Sequence, residues 1–237
     1  NGTIEFYQND APVSSSVLFT SMFDIGQVEV LRGPQGTLRG RASPSGSIAV
    51  TYRRPDLAEI GGNVNATVNN INGYNINGAV NLPLFRDQLA VRVAGLISDD
   101  DGNRVHQLVS TTSLVPARDL KNRTQGVRIS LRADPLDGRL VLDGFYQNVT
   151  RNAVQYDQVQ SVTDYLGTAP GAGLIRAFDR LGVPTVPRRV HQNFESFGWQ
   201  AAYSFLGQKL IYVGSSVKTD TTTTEPWDKA GVFNNPY

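Results

Sequence analysis

The sequence contains no cysteine, and only two histidines and one methionine occur among its 237 residues. The absence of cysteine excludes disulfide bonds, thiolate metal sites and cysteine nucleophiles. Charged residues make up only 18%, below the roughly one quarter that is usual for a soluble domain. Lysine and arginine number 22 against 21 aspartates and glutamates. The resulting net charge of +1 argues against nucleic acid as a partner.

Long hydrophobic runs are missing as well. The longest unbroken apolar run is four residues, 210–213, far short of the ~20 that a transmembrane helix needs. The first residues have neither the basic start nor the apolar core of a signal peptide. We therefore expect neither a transmembrane helix nor a signal peptide within this chain.

What the sequence has instead is an alternation of apolar and polar residues from residue 62 onward. Segment 127–134 is the clearest example, because every second residue is apolar and the residues between are polar. A period of two is the signature of β-strands with one apolar face. Such segments occur at 62–68, 74–82, 89–98, 127–134, 140–150, 197–205 and 209–219. The sequence therefore predicts an all-β fold with seven amphipathic strands.

The connections between the predicted strands alternate in length. Asn72-Gly73 predicts a two-residue hairpin, since a type I′ turn needs positive φ at both central positions. After it, short turns alternate with long excursions over 99–123, 151–193 and from 220 onward. A transmembrane β-barrel has this asymmetry, with short turns on one side and long loops on the other. The strand lengths, near the ~9–11 residues that cross a bilayer, also favour a barrel over a soluble β fold.

The first quarter of the sequence is different, since short predicted strands at 4–7, 28–31 and 47–52 are separated by Gly, Pro and Ser. Between them lies the loop 32–40, with three glycines and one proline. Glycine permits positive φ and proline fixes φ, so this loop is rigid and sharply folded. A phosphate-binding loop would need a Lys-Ser/Thr pair ahead of a helix. Neither follows here, so we reject a phosphate site.

From Val28 to Leu38 the sequence reads Val-Glu-Val-Leu-Arg-Gly-Pro-Gln-Gly-Thr-Leu, before Gly40-Arg41 and a strand ending in Arg53-Arg54-Pro55. This stretch resembles the second half of the plug domain of TonB-dependent outer-membrane receptors. The upstream Phe23-Asp24-Ile25 is similar to the segment that precedes this motif in the family. The resemblance assigns a structural or gating role to Arg32, Gly33, Pro34, Gln35, Gly36, Gly40, Gly46 and Arg54.

Two features depart from the family pattern and bear on the subfamily. Arg39 stands where an aromatic residue is common, and the segment 43–47 replaces a more usual Gly-Gly pair. Arg32 and Arg54 resemble plug arginines that pair with barrel carboxylates. An ordinary role in a turn or linker has equal weight for both, and the barrel strands that carry such partners are expected outside this chain.

The resemblance implies an all-β membrane protein, with a partial plug domain followed by about seven antiparallel strands of an incomplete barrel. The family's barrel has about 22 strands. The expected division is the C-terminal part of the plug at 1–55, a junction at 56–61, and the N-terminal strands and loops of the barrel at 62–237. We therefore interpret the chain as a fragment, and expect the plug segment that contacts TonB to precede it.

The function that the resemblance implies is energy-coupled uptake across the outer membrane of a Gram-negative bacterium. A scarce ligand, foremost a ferric siderophore-like chelate, would bind outside, and TonB would displace the plug. We expect no enzyme activity, cofactor or metal site. The expected partners are TonB, outer-membrane lipid and the small ligand, with no nucleic acid, and the full-length protein would be a monomer. A passive outer-membrane porin and a secreted soluble β-sheet adhesin or carbohydrate-binding protein remain as alternatives.

Two sets of side chains are candidates for contact with the ligand or the plug. The long loop 151–193 is expected outside the membrane, and its basic and aromatic residues suit an anionic chelate. The candidate ligand residues are Tyr156, Tyr165, Arg176, Arg180, Arg188 and Arg189, although a purely structural loop has comparable weight. A second set lies on the polar face of the strands and would line the lumen, namely Asn75, Asn77, Asn81, Arg92, Arg128 and Arg132.

Overall fold

The structure is a computed structural model that describes residues 4–34, 43–70, 72–107, 120–156, 180–182 and 187–225. Within these ranges the chain forms thirteen β-strands and one short α-helix. That helix is too short to cross a membrane, and no other helix occurs in the described ranges.

A small sheet is formed by four strands near the N-terminus. They are β1 (Ile4–Gln8), β2 (Ala11–Val13), β3 (Ile25–Arg32) and β4 (Gly46–Tyr52), in the order β2-β1-β4-β3. Helix α1 (Ser15–Thr20) begins where the Ser14 side chain accepts a hydrogen bond from the Val17 amide. The sequence predicted β1, β3 and β4. It missed β2 and α1, because elements of three and six residues are too short to show a period.

A large sheet of seven strands follows as an antiparallel meander in sequence order. Its strands are β5 (Gly61–Val68), β6 (Tyr74–Phe85), β7 (Leu89–Asp100), β9 (Lys121–Ala133), β10 (Leu140–Gln155), β12 (Arg188–Phe205) and β13 (Gln208–Thr224). Two further segments, β8 (His106–Gln107) and β11 (Leu181–Gly182), pair with each other in parallel. The prediction of an all-β fold with seven amphipathic strands is confirmed.

The two faces of the large sheet are opposite in character. Its inner face packs against the small sheet and buries polar side chains, such as Arg128 and Ser130 of β9. Its outer face exposes the large apolar side chains of the same strand, Val127, Ile129 and Leu131. A water-soluble protein would bury this apolar face and expose the polar one. Here the arrangement is inverted, so the outer face requires an apolar environment.

Several strands are longer than the sequence predicted. β10 has 16 residues and β12 has 18, more than the ~9–11 needed to cross a bilayer. The extra residues lie next to the long loops, where the outer face becomes polar. Asn193 there accepts hydrogen bonds from Asn148 and Thr150 over 3.1 and 2.9 Å. The apolar alternation covers only part of each strand while the backbone pairing continues. For this reason the sequence predicted that β10 ends too early and that β12 begins too late.

The first connection of the large sheet also differs from its prediction. β5 ends at Val68 and β6 begins at Tyr74, so the loop has five residues instead of two. Asn72 has the expected positive φ of 52°. However, the Asn69 side chain accepts a hydrogen bond from the Gly73 amide over 2.9 Å. An asparagine side chain that closes the loop in this way replaces the tight type I′ turn.

Candidate functional site

The candidate functional site is the interface between the inner face of the large sheet and segment 21–25, which connects α1 to β3. Ser21 ends the helix, and its hydroxyl donates to the Val17 carbonyl over 2.6 Å. Asp24 has a φ of +50°, a left-handed conformation that aspartate tolerates better than most residues. Both Phe23 and Asp24 are buried, and the groups that cover them belong to the large sheet.

A buried ion pair joins this segment to β7. The Nε and Nη2 atoms of Arg92 donate to the two carboxylate oxygens of Asp24 over 2.7 and 2.6 Å. The two side chains are only 9% and 3% exposed, and bidentate pairs of this kind are among the strongest hydrogen bonds in proteins. Arg92 also donates to Asn63 on β5 over 3.0 Å. The pair therefore fixes segment 21–25 to two strands of the large sheet.

Arg128 on β9 makes a second buried contact with the same segment. Its guanidinium donates to the carbonyl oxygens of Phe23 and Ser21 over 2.7 and 3.0 Å. It also donates twice to the Gln147 side-chain oxygen on β10, and its central carbon lies 3.1 Å from the ring centroid of Tyr52. Because α1 has no basic residue in its last turn, Arg128 supplies the positive charge that favours a helix C-terminus.

Apolar packing accompanies these polar contacts. A Cβ atom added at Gly126 would lie 3.1 Å from the ring of Phe23, so the glycine leaves the space that this ring occupies. Phe23 belongs to a buried cluster with Val17, Ala79, Ala94, Leu96, Val149 and Phe194. These residues come from α1, from segment 21–25 and from the large sheet. Segment 21–25 is therefore held by an apolar contact with charged groups at its edge.

A second set of contacts lies where the chain passes from β4 to β5. Arg54 donates to the Gln200 side-chain oxygen over 3.1 Å, and its Nη1 atom is 3.6 Å from Asp143. Asp143 also lies 3.8 Å from Arg132. The sequence placed the carboxylate partner of Arg54 outside this chain, and that expectation was wrong. Its partner belongs to β10, and only the pairing of the strands brings the two residues together.

The junction itself is closed by Asn81 of β6. Its side-chain oxygen accepts a hydrogen bond from the Asp56 amide over 2.8 Å. Its side-chain nitrogen donates to the carbonyls of Asp56 and Glu59 over 2.9 and 2.7 Å. The Asp56 carboxylate also accepts hydrogen bonds from the backbone amides of Ala58 and Glu59. The chain therefore enters the large sheet in one fixed conformation.

The glycine-rich loop motif is described in part. Arg32 ends β3, and it is followed by Gly33, which has a φ of +81°, and by Pro34. Gln35, Gly36 and Gly40 lie outside the described residues. Gly46 begins β4 with a φ of +128°. Its place directly opposite Arg32 brings the two ends of the loop together, and the gating role of these residues stays a prediction.

Replacing Gly46 with alanine is expected to destabilise the small sheet by about 2 kcal/mol, the order usual for a strained backbone position. An added Cβ atom would collide with the carbonyl oxygen of Leu31. Gly33 is the matched control, because it also has positive φ but no atom of the described residues lies near the position of a Cβ, so Gly33→Ala should cost only about 1 kcal/mol. Denaturant unfolding of both variants measures the difference, and equal losses would contradict the clash.

The structure brings the candidate ligand residues together only in part. Tyr165 and Arg176 lie outside the described residues. Tyr156 follows β10, is buried, and its carbonyl accepts a hydrogen bond from the Asn103 side chain over 2.8 Å. Arg180 is exposed and has a φ of +51°.

The two remaining candidates, Arg188 and Arg189, are the first residues of β12. Neighbouring residues of a strand face opposite sides of the sheet, so only one of them can face the lumen. Arg188 is on the inner side and lies 3.0 Å from the carboxylate of Glu225. Arg189 is exposed on the outer side. A role for either residue in ligand binding stays a prediction.

Metal-ligating residues are not grouped in the described ranges, where no cluster of three or more suitable side chains occurs. Asp99 lies 3.1 Å from Arg123 and 3.7 Å from Lys121. Asp100 accepts a hydrogen bond from the Gly102 amide over 2.7 Å. Protein donors therefore form hydrogen bonds or ion pairs with the acidic residues at the end of β7.

Comparison with known sequences gives a partial match. No protein-family profile matches the chain. Over 117 residues the chain is 28% identical to the pesticin receptor of Yersinia enterocolitica, and the receptor of the same name from Yersinia pestis matches equally. The matched region covers 48% of this chain and 17% of the pesticin receptor.

Solved structures match almost the whole chain. The ferric yersiniabactin uptake receptor from Yersinia pestis is similar with a TM-score of 0.76 and 19% identity, over 94% of this chain and 33% of that receptor. The ferric-catecholate import receptor Fiu from E. coli K12 has a TM-score of 0.67 and 19% identity, over 91% of this chain and 32% of its own length. The alcaligin outer-membrane receptor from Bordetella pertussis has a TM-score of 0.65 and 16% identity, over 93% of this chain and 31% of that receptor.

These matches agree with the inverted faces of the large sheet and with the small sheet packed inside it. The chain spans about a third of the length of the solved receptors. The predicted location in the outer membrane of a Gram-negative bacterium agrees with that of the matched receptors. The chain has the fold of part of the plug and seven barrel strands of a TonB-dependent outer-membrane receptor.

Proposed function

We propose that the full-length receptor containing this chain takes up a ferric chelate by TonB-driven displacement of its plug. In this proposal residues 1–55 belong to the plug, 56–61 form the junction, and 62–237 belong to the barrel. Proteins with the same fold include receptors for ferric yersiniabactin and for ferric catecholates. Their ligands are iron chelates, which supports this class of substrate.

The observation that carries the proposal is the nature of the contact between the two sheets. Segment 21–25 is held by charged and polar groups of the large sheet, foremost Arg92 and Arg128. A plug must close the lumen and still be removable. Arginine contacts with a carboxylate and with carbonyl oxygens meet both needs, because water can take over these hydrogen bonds when the segment moves.

The same contact argues against the two alternatives. A passive porin needs a water-filled lumen, whereas the inner face here is buried beneath the small sheet around Phe23 and Arg128. A secreted soluble protein would not expose an outer face with so many large apolar side chains. Among those exposed are Val93, Ile97, Ile129, Leu131, Phe197 and Trp199.

The proposed partners follow from the same arrangement. TonB would pull on a plug segment upstream of this chain, and the ligand would bind at the side of the long loops. Among the described candidates, Arg188 faces the lumen at that side. We propose it as a ligand contact, together with Tyr156 and Arg180 and the loop residues between β10 and β12.

Iron uptake tests the proposed function directly. The full-length receptor would be expressed in an iron-limited strain that has no other receptor for ferric chelates. We expect uptake of radioactive iron from ferric yersiniabactin or a ferric catecholate, and loss of this uptake when TonB is deleted. An Arg123→Ala variant, changed on the outer face, should take up iron as the wild type does. Uptake that persists without TonB would identify a passive pore, and a receptor that takes up neither chelate would contradict the proposal.

A further inference from the structure

We propose that four inner-face residues form an internal binding site for the carboxylate groups of an anionic ligand. These residues are Arg92, Arg128, Gln147 and Ser196, called the donor patch below. Segment 21–25 occupies the two arginines of the donor patch, so these arginines become available to a ligand only when this segment leaves. The inference rests on the proposed function, because it concerns what a ligand meets after the plug moves.

The register of the strands brings the donor patch together. Arg128 of β9 is directly opposite Gln147 of β10, and Gln147 is directly opposite Ser196 of β12. Arg92 of β7 is opposite Ser130, two residues along β9 from Arg128. Directly opposed Cβ atoms lie about 5 Å apart and diagonal neighbours about 7–8 Å apart. The donor patch is therefore a continuous area across four strands.

Two members of the donor patch are buried donors without a partner. Gln147 is 0% exposed and Ser196 is 1% exposed. Within the described residues, the Gln147 side-chain nitrogen and the Ser196 hydroxyl have no hydrogen-bond partner. Buried polar atoms are nearly always paired. Unpaired donors beside a guanidinium indicate a place built for acceptor atoms that segment 21–25 satisfies only in part.

The plug itself shows which chemical group fits. The Asp24 carboxylate is already held by two parallel hydrogen bonds from Arg92, so this position binds a carboxylate. When segment 21–25 leaves, Asp24 leaves with it. Arg92 then loses its carboxylate and keeps Asn63 as an acceptor, and Arg128 loses the two carbonyl oxygens and keeps Gln147. A carboxylate of the ligand would restore these bonds and could also accept from the unpaired donors of Gln147 and Ser196.

The charge of the inner face supports an anionic ligand. By the alternation of the paired strands, six basic side chains lie on this face, namely Arg92, Arg128, Arg132, Arg151, Arg188 and Lys209. Only two acidic ones lie there in the described strands, Asp100 and Asp143. A low-dielectric wall with such an excess concentrates anions near it. The donor patch would therefore receive a ligand that carries carboxylates better than a neutral one.

Channel recording on the full-length receptor tests this inference. The receptor would be placed in planar lipid bilayers, the plug loosened reversibly with urea, and citrate used as the carboxylate probe. We expect citrate to block the current of the wild type. Arg92→Lys keeps the charge but loses the bidentate geometry, so the citrate concentration for half block should rise about tenfold. Ser196→Ala removes one hydroxyl group and should raise the citrate concentration for half block about threefold.

The control is Arg151→Lys, the same exchange on the inner face but outside the donor patch, which should leave the block by citrate unchanged. Absence of block in the wild type, or equal block in Arg92→Lys, Ser196→Ala and Arg151→Lys, would overturn the inference. The uptake assay separates this from the proposed function. If the receptor takes up iron normally but its current is not blocked by citrate, only the inference about the donor patch is refuted. A receptor that citrate blocks but that takes up no chelate refutes only the proposed function.

Discussion

Replacing Arg128 with alanine should weaken the attachment of segment 21–25 by about 3–5 kcal/mol, the usual cost of removing one partner from a buried charged contact. The carbonyl oxygens of Ser21 and Phe23 would lose their donors, and the Gln147 oxygen would be left unpaired. The amides of α1 should then exchange hydrogen at least about a hundredfold faster, since each 1.4 kcal/mol is about tenfold. Hydrogen exchange on the full-length receptor measures this change.

Arg132→Ala is the matched control for this experiment, since Arg132 is on the same strand and the same face. Its side chain is 28% exposed and lies 3.8 Å from Asp143. A partly exposed pair of this kind contributes about 1 kcal/mol or less, so the exchange of α1 should change little. If both variants accelerate the exchange equally, Arg128 is not the specific attachment point described above.

The second large effect is expected on the opposite face of the same strand. Ile129 is exposed on the outer face between the apolar side chains of Val127 and Leu131. Ile129→Arg should destabilise the receptor in lipid by about 2–4 kcal/mol, because a charge near the middle of the bilayer loses its hydration. Unfolding of the full-length receptor in lipid vesicles with denaturant measures this loss.

Gln125→Arg provides the comparison, because Gln125 is on the same strand and face but lies beyond the apolar residues. We expect Gln125→Arg to destabilise the receptor by only about 0–1 kcal/mol, the cost of a charge on the lipid face near the membrane interface. An equal cost at both positions, or none at either, would mean that the apolar face of the large sheet does not contact lipid. The interpretation of the large sheet as part of a transmembrane β-barrel would then be wrong.

The architecture of the large sheet was predictable because its signal is local. Alternation assigns each residue to a face from its two neighbours alone, so Arg92 and Arg128 were placed on the polar side before any contact was known. The burial of both residues on the inner face agrees with that assignment. Short elements were missed for the same reason, since α1 and β2 are too brief to show a pattern.

The contacts that define the candidate site were out of reach. Asp24 and Arg92 are 68 residues apart, and Arg128 and Ser21 are 107 apart. Such pairs depend on how the small sheet sits against the large one, which no spacing in the sequence encodes. Gln147 carried a weak signal, as a polar residue in an alternating strand. Nothing in the sequence indicated that its nitrogen would be buried without a partner among the residues that the structure describes.

The space that Gly126 leaves for Phe23 has a consequence for receptors assembled from parts of different proteins. A methyl group at position 126 would lie 3.1 Å from the aromatic ring of Phe23, so the ring would have to shift by a few tenths of an ångström. The two positions are therefore expected to be coupled when either one is changed. In an engineered chimera, a plug from another receptor is joined to these strands. We expect such a plug to pack correctly only if it places an aromatic ring against Gly126.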